Sequence, residues 1–154
     1  MKIDFDQGLR RISEAVLDEV SERASRSARR RAIARFHDHD EKLQRMLNAL
    51  EPGTYVCPHR HAEPPKVEVF LALRGAAEVW TFSDHGEVLE RVVIRPGGGV
   101  EIPPGTWHTV VALEPGTVLY ELIEGPYEAT THKEFAAWAP PEGSPDGPAW
   151  IASR

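Results

Sequence analysis

The segment "PHRHAEPPKVEVFLALRG" (residues 58–75) holds two histidines one residue apart, His59 and His61, with a glutamate, Glu68, seven positions further on. On an extended strand side chains alternate between faces, so a His-x-His pair sets two imidazoles on one side, close enough to share an ion. Read as a strand, residues 53–61 turn Tyr55, Cys57, His59 and His61 to that side, and Pro58 is the point at which the alternation can fail. The run "KVEVFLALRG" then presents Lys66, Glu68, Phe70 and Ala72 on the same face. Imidazoles beside a carboxylate form a mixed nitrogen–oxygen donor set suited to a divalent first-row metal. A second cluster, "GGGVEIPPGTWHTVVAL", carries a tight Pro-Pro-Gly turn just ahead of His108, at the start of another β run. The turn fixes where that strand enters, so a third imidazole can be placed accurately.

These side chains need a rigid frame, and the chain from Pro52 onward supplies one. Short runs rich in Val, Thr, Leu and aromatics are cut by turn signals such as "RG" at 74, "RPGGG" at 95, "PPG" at 103 and "EPG" at 114. This pattern predicts an all-β sandwich or barrel rather than alternating strands and helices. Ahead of it, Leu9, Ile12, Val16, Leu17 and Val20 recur at helical spacing and predict an amphipathic helix over 6–24, with Asp6 as its N-cap. The segment "FHDHDEKLQRMLNAL" suits a helix or a strand equally well, and periodicity does not separate the two. After Pro126 the prolines and glycines exclude long elements, while Trp138 and Trp150 predict a tail pinned to the body. The chain divides into an N-terminal helix and Arg-rich link (1–40), a barrel (41–126) and a tail (127–154) within a single domain.

Bulk properties exclude several classes. The 154 residues carry a formal charge of −6, which argues against general nucleic-acid or anionic-membrane binding. No apolar run approaches the ~20 residues needed to span a bilayer, and the first residues carry no export signal. A single cysteine, Cys57, excludes an intrachain disulfide and fits a cytoplasmic setting. One stretch opposes the acidic average: "ERASRSARRRAIAR", with six arginines, is either a solvated helix end or a clamp for phosphate or carboxylate.

Gly53, five residues, His59-x-His61, then Glu68, six residues and Gly75 resemble the first cupin motif; Gly97, five residues, Pro103-x-Gly105, two residues and His108 resemble the second. The spacing from His61 to Glu68 is longer than is usual for that motif, which makes Glu63 a competitor, but Glu68 keeps the right distance to Gly75. Ala112 stands where the second motif usually has an asparagine. More narrowly, "RMLNALEPGTYVCPHRH", "EIPPGTWHTVVALEPGTVLYELIEGPY" and "KEFAAWAPPEG" resemble the WbuC family of cupin-fold metalloproteins, whose members occur in gene clusters for surface-polysaccharide (O-antigen) synthesis. The resemblance implies a mainly β fold: a cupin double-stranded β-helix, or jelly-roll barrel, with an N-terminal α-helical extension. It implies His59, His61, Glu68 and His108 as ligands of one divalent transition metal, with zinc, manganese, iron and nickel all suited.

Three imidazoles and one carboxylate leave open coordination positions for water or substrate. The expected function is a metal-dependent isomerase, epimerase or lyase acting on a small anionic or oxygen-rich molecule, a sugar or nucleotide-sugar derivative. A non-haem iron dioxygenase and a non-catalytic metal-dependent binding module are the alternatives. Lys66 and Tyr55 are candidates for proton transfer. Arg31 and Arg35, with His37 just beyond them, are candidates for holding an anion, and Trp107 and Tyr120 for stacking on a sugar ring. His39, His85 and His132 read as ordinary polar residues. Strands such as "VEVFLALRG", apolar on both faces, predict a homodimer.

Overall fold

The computed structural model describes residues 1–3 and 8–154. Among the described residues, ten strands form two five-stranded antiparallel sheets. Strands β1 (Arg31–Arg35), β2 (Leu43–Leu50), β9 (Thr117–Glu124), β4 (Glu68–Arg74) and β7 (Gly99–Ile102) make one sheet in that order. Strands β10 (Glu134–Phe135), β3 (His59–Arg60), β8 (Trp107–Ala112), β5 (Ala77–Phe82) and β6 (Val88–Ile94) make the other. The sheets face each other as a jelly-roll barrel, with helix α1 (Glu14–Arg26) against the first sheet and a short α2 (Gly147–Ala152) near the end of the tail. Among the described residues no helix is long and apolar enough to cross a membrane.

Residues 43–50, ambiguous by periodicity, form a strand. The ladder decides it: β2 is paired along its length with β9 and over five positions with β1. Its alternation then sends Gln44, Met46, Asn48 and Leu50 toward the barrel interior, while Leu47 and Ala49 meet α1. That helix begins at Glu14, not residue 6. Gly8 has φ +130°, outside helical backbone, and Leu9 stands 99% exposed, so the first part of the apolar pattern has nothing to pack on. The expected N-cap Asp6 lies outside the described residues. What packs is the stripe Leu17, Val20 and Ala24, all buried against β1, β2 and β9. The hydrogen-bonded frame also starts at Arg31 rather than residue 41, since the Arg-rich link supplies the edge strand β1.

Between the sheets, Phe70, Val79, Ile94, Ile102, Val110 and Leu119 close one half of the barrel with apolar side chains. Gly75 turns β4 into β5 at φ +69°, and a Cβ there would stand 2.4 Å from Thr117 Oγ1, so the motif glycine answers both a left-handed backbone and a close approach. The tail covers the outside of the second sheet, where Trp80, Phe82 and Trp107 pack with Trp138 and Trp150.

Leu47 is fully buried between α1 and the first sheet. Leu47→Ala is expected to cost about 2–5 kcal/mol in urea unfolding, as large-to-small changes in packed cores do; a loss under ~1 kcal/mol would mean that α1 does not pack there.

Candidate metal centre

Strands from both sheets bring four side chains to one point in the barrel. His59 lies directly across the β3–β8 ladder from His108, and Glu68 opens β4 on the facing sheet. His61, Glu68, His59 and His108 are all buried, and each offers one donor atom such that all of these lie within 4.8 Å of one another. The long spacing between His61 and Glu68 is absorbed by a turn. Lys66 N–H donates to the His61 carbonyl and Ala62 bridges Pro65, which throws Glu63 out to solvent and returns Glu68 to the interior.

Each imidazole is held through the same atom. Nδ1 of His59 lies 2.9 Å from the Cys57 carbonyl, Nδ1 of His61 lies 2.5 Å from the His132 carbonyl, and Nδ1 of His108 lies 2.8 Å from the Thr106 carbonyl. A carbonyl only accepts, so the ring proton sits on Nδ1 and a neutral imidazole then carries a bare lone pair on Nε2. Those lone pairs face an anion: Glu68 Oε2 is 3.1 Å from His61 Nε2 and 2.9 Å from His108 Nε2. The buried Nε2 of His108 has no hydrogen-bond partner at all. Acceptors set against a carboxylate oxygen at these distances repel unless a cation lies among them. The donor set therefore fits a divalent metal, and the backbone carbonyls supply the outer bonds that orient metal-binding histidines.

A second carboxyl stands beside the first. Glu121, on β9, points inward next to Glu68 and hydrogen-bonds to it, and its Oε2 accepts from Asn48 Nδ2. Burial and the neighbouring Glu68 raise the Glu121 pKa well above the usual carboxylate range. For Glu68, burial pushes upward, but the neighbouring His108, His61 and Glu121 outweigh it and hold the group well below that range. The shared proton sits on Glu121, because two adjacent buried carboxylates cannot both ionise. Burial, with Lys133 and His108 adding to it, pushes His59 well below its usual pKa, which keeps it neutral.

His59 and Glu68 line the floor of a cavity of about 780 Å³, within the ~300–1,000 Å³ common for small-molecule sites, with His61 and His108 buried behind them. Arg31, Arg35 and His37 line it, as do Asn48 and Glu121. Four other residues that the sequence singled out lie elsewhere. Tyr55 donates its hydroxyl to the Pro140 carbonyl at 2.6 Å and packs on Gly147 of the tail. The parity fails at Pro58, which has no N–H for the ladder: Val56 lines the cavity while Tyr55 turns to the tail. Lys66 gives its ammonium to the Pro126 carbonyl at 2.6 Å, outside the cavity lining. Trp107 donates Nε1 to Asp84, lies under the Arg60 guanidinium and belongs to the aromatic cluster beneath the tail, since its neighbour His108 takes the inward face of β8. Tyr120 has the parity opposite to Glu121 and meets Phe36 on the helix side.

Sequence reasoning missed Glu121, though a signal was there. In "TVLYELIE" it shares parity with Leu119 and Ile123, an acid in the inward row of a buried strand. It also passed over His132, whose carbonyl orients His61 and whose buried ring lies 4.9 Å from the His61 ring. No local pattern marks His132, because the pairing of β10 with β3 brings that segment in.

A family profile described as "Domain of unknown function (DUF6016)" matches residues 12–94. The chain belongs to that family. The matched stretch of this DUF6016 member runs from α1 through β6 and takes in His59, His61 and Glu68. No curated protein matches the chain in sequence. Among solved structures it resembles KdgF from Halomonas sp., at 26% identity and a TM-score of 0.50 over 65% of this chain and 80% of that one. It also resembles CapF from Staphylococcus aureus, a capsular polysaccharide assembling protein, at 18% identity and a TM-score of 0.56 over 67% of this chain and 28% of that one. A third is oxalate decarboxylase from Bacillus subtilis, at 21% identity and a TM-score of 0.51 over 62% and 24%. This DUF6016 chain thus spans under a third of the latter two proteins. All three are cupin-fold proteins, and the jelly roll here is a cupin barrel.

Purified protein is expected to bind one divalent ion per chain by elemental analysis, and His59→Ala, His61→Ala or His108→Ala to lower that affinity at least tenfold; full occupancy in all three variants would refute the site. Acid is expected to release the ion, as protons compete for Nε2. In the metal-stripped protein a second pH effect arises at His132, whose pKa is pushed from 6.5 to about 3, by burial first and then by His61 and Lys133. Between those values the unfolded chain holds a proton that the folded chain lacks, so this contribution to stability falls as pH drops from 6.5 toward about 3. His132→Asn is expected to flatten the fall of the urea midpoint through that range, and an unchanged slope would show that His132 protonates freely in the fold.

Proposed function

We propose that this protein is a metal-dependent enzyme acting on a small sugar or nucleotide-sugar derivative, with chemistry of the isomerase, epimerase or lyase type. The observation that carries the reading is the set of bare imidazole nitrogens facing Glu68, next to an open cavity that His59, Glu68 and Glu121 line. A purely structural metal site is closed by its ligands, whereas this one adjoins space for a ligand molecule.

His59, His61, His108 and Glu68 would hold the ion, which when bound would supply Lewis-acid polarisation of a substrate carbonyl or of vicinal hydroxyls. Glu121 stands in the cavity wall against Glu68, where its carboxyl can hold or hand over a proton at a ligand carbon or oxygen. Asn48 Nδ2 fixes its orientation. Lys66 and Tyr55 have their polar atoms committed to Pro126 and Pro140, so the proton-transfer part goes to Glu121. Apolar neighbours Met46, Phe70 and Val110 restrict water on the floor. A setting in surface-polysaccharide synthesis is supported by the resemblance to the WbuC family in "EIPPGTWHTVVALEPGTVLYELIEGPY", and it agrees with the printed description of CapF.

Turnover of nucleotide sugars by zinc- or manganese-loaded protein, followed by NMR, tests the reading. Glu121→Gln is expected to lower the rate about 10²–10⁴-fold, the range for a proton-transfer group, while metal content stays at one per chain. His59→Ala is expected to lose metal and rate together. No turnover across a broad panel, or substrate-dependent oxygen uptake by the Fe(II) form, would count against it.

A further inference from the structure

The cavity has two electrically distinct ends. Among the described residues its acidic lining residues are Glu68 and Glu121, beside the metal ligands, while Arg23, Arg29, Arg31, Arg35 and Lys133 also line it. Such an excess of cations is unexpected in a chain with 24 acidic and 18 basic residues.

Several arginines elsewhere in the chain find partners. Arg26 pairs with Glu22, Arg45 with Glu41, and Arg74 with Glu14 and Asp18. Within the cavity, Arg29 and Arg31 are both taken by Glu142 of the tail, and Arg31 also donates to the Tyr55 carbonyl. Arg23, Arg35 and Lys133 are different: among the described residues their side chains have no hydrogen bond or ion pair. They come from three separate elements, the last turn of α1, the end of β1 and the segment ahead of β10. Arg23, Arg35 and Met1 line the same cavity, and both arginine charges act on the amino group of Met1, whose pKa is lowered chiefly by burial and then by these two. Lys133 lies nearer the floor, within electrostatic reach of His59 and Glu121.

Strand register sets the span. Arg35 pairs with Met46, Met46 with Glu121, and Glu121 with Phe70, two residues along β4 from Glu68. These four stand in one row on the inner face of the sheet, and three inter-strand steps of ~4.8 Å put Arg35 about 14 Å across from the strand that carries Glu68. An arginine reaching inward from there leaves room for roughly one small ring between its guanidinium and the metal ligands.

We propose that Arg23 and Arg35 form a phosphate subsite, so that the ligand is an elongated molecule with an oxygen-rich end at the floor and a phosphoryl group at the arginine end. The proposal rests on the reading of this cavity as a substrate site and narrows it to phosphorylated sugar derivatives. Guanidinium groups match phosphoryl oxygens in fork geometry, and two guanidinium groups from separate elements suit a multiply charged tetrahedral anion better than a single carboxylate. Arg31, which the sequence suggested for this part, is neutralised by Glu142.

Calorimetric titration of the full chain with inorganic pyrophosphate at low ionic strength tests the subsite. Binding is expected in the parent, weakened in Arg23→Ala and in Arg35→Ala and at least tenfold in the double variant, with metal content unchanged in each. Arg91→Ala, which removes a guanidinium stacked on Trp80 outside the cavity, is the charge-matched control and should bind as the parent does. Absence of pyrophosphate binding, or equal weakening by Arg91→Ala, would overturn the proposal. Repeating the titration on metal-stripped protein, dialysed free of chelator, separates it from the catalytic reading. Pyrophosphate binding that survives without metal, in a protein that turns over no sugar, leaves the subsite standing while the enzyme reading fails. Turnover without any dependence on Arg23 and Arg35 does the reverse.

Discussion

Three hydrogen bonds from imidazole Nδ1 atoms to backbone carbonyls govern the rest of this molecule. A ring tied in this way can neither rotate nor move its proton to the other nitrogen without losing the bond, so the lone pairs of His59, His61 and His108 are aimed before any ion arrives. Backbone carbonyls cannot be lost by substitution, but each must be delivered to its place by the fold. The Cys57 and Thr106 carbonyls lie two residues before the rings they hold and come with local geometry, whereas that of His132 comes from a segment distant in sequence. The tail is therefore part of the centre. Its short strand β10 pairs with β3, and Arg60 clamps Glu134 with two parallel bonds.

Concentrating buried donors, two carboxyls and three imidazoles in one spot carries a desolvation cost, and the barrel is divided accordingly. One half is closed by aliphatic and aromatic side chains that stabilise the fold by burial. The other half stays polar, and its carboxyls avoid mutual repulsion by sharing a proton, with Asn48 satisfying the remaining oxygen. Glu142 has a comparable part at the outside. It joins Arg29, Arg31 and the Cys57 backbone N–H, so one carboxylate fastens the tail to the edge strand and to the segment leading into His59.

Much of the centre was legible because strands encode faces with a period of two. The His59–His61 pair, the parity of Glu68 and the turn ahead of His108 each specify an inward side chain, and the two motifs in order make accidental placement improbable. The same rule would have exposed Glu121, since an acid flanked at i±2 by Leu119 and Ile123 must either be satisfied inside or break the strand. It misled at Tyr55, where Pro58 interrupts the ladder, and at Trp107 and Tyr120, where aromatic character suggested ring stacking while parity turned both side chains outward. The helix was placed too early for a related reason: Leu9 and Ile12 continue the apolar spacing, but no sheet lies beneath them.

The sequence by itself determined a mainly β barrel with a helical extension, because alternation and turn chemistry are local properties, and its resemblance to the cupin motifs implied His59, His61, Glu68 and His108 as donors. Tertiary structure decided which arginines remain unpaired, which carboxyl carries the proton and which carbonyl orients His61. Those outcomes depend on contacts between residues far apart in the chain, such as Arg31 with Glu142 and Glu68 with Glu121, and the balance of burial and charge there exists only once both sheets and the tail have closed around the cavity.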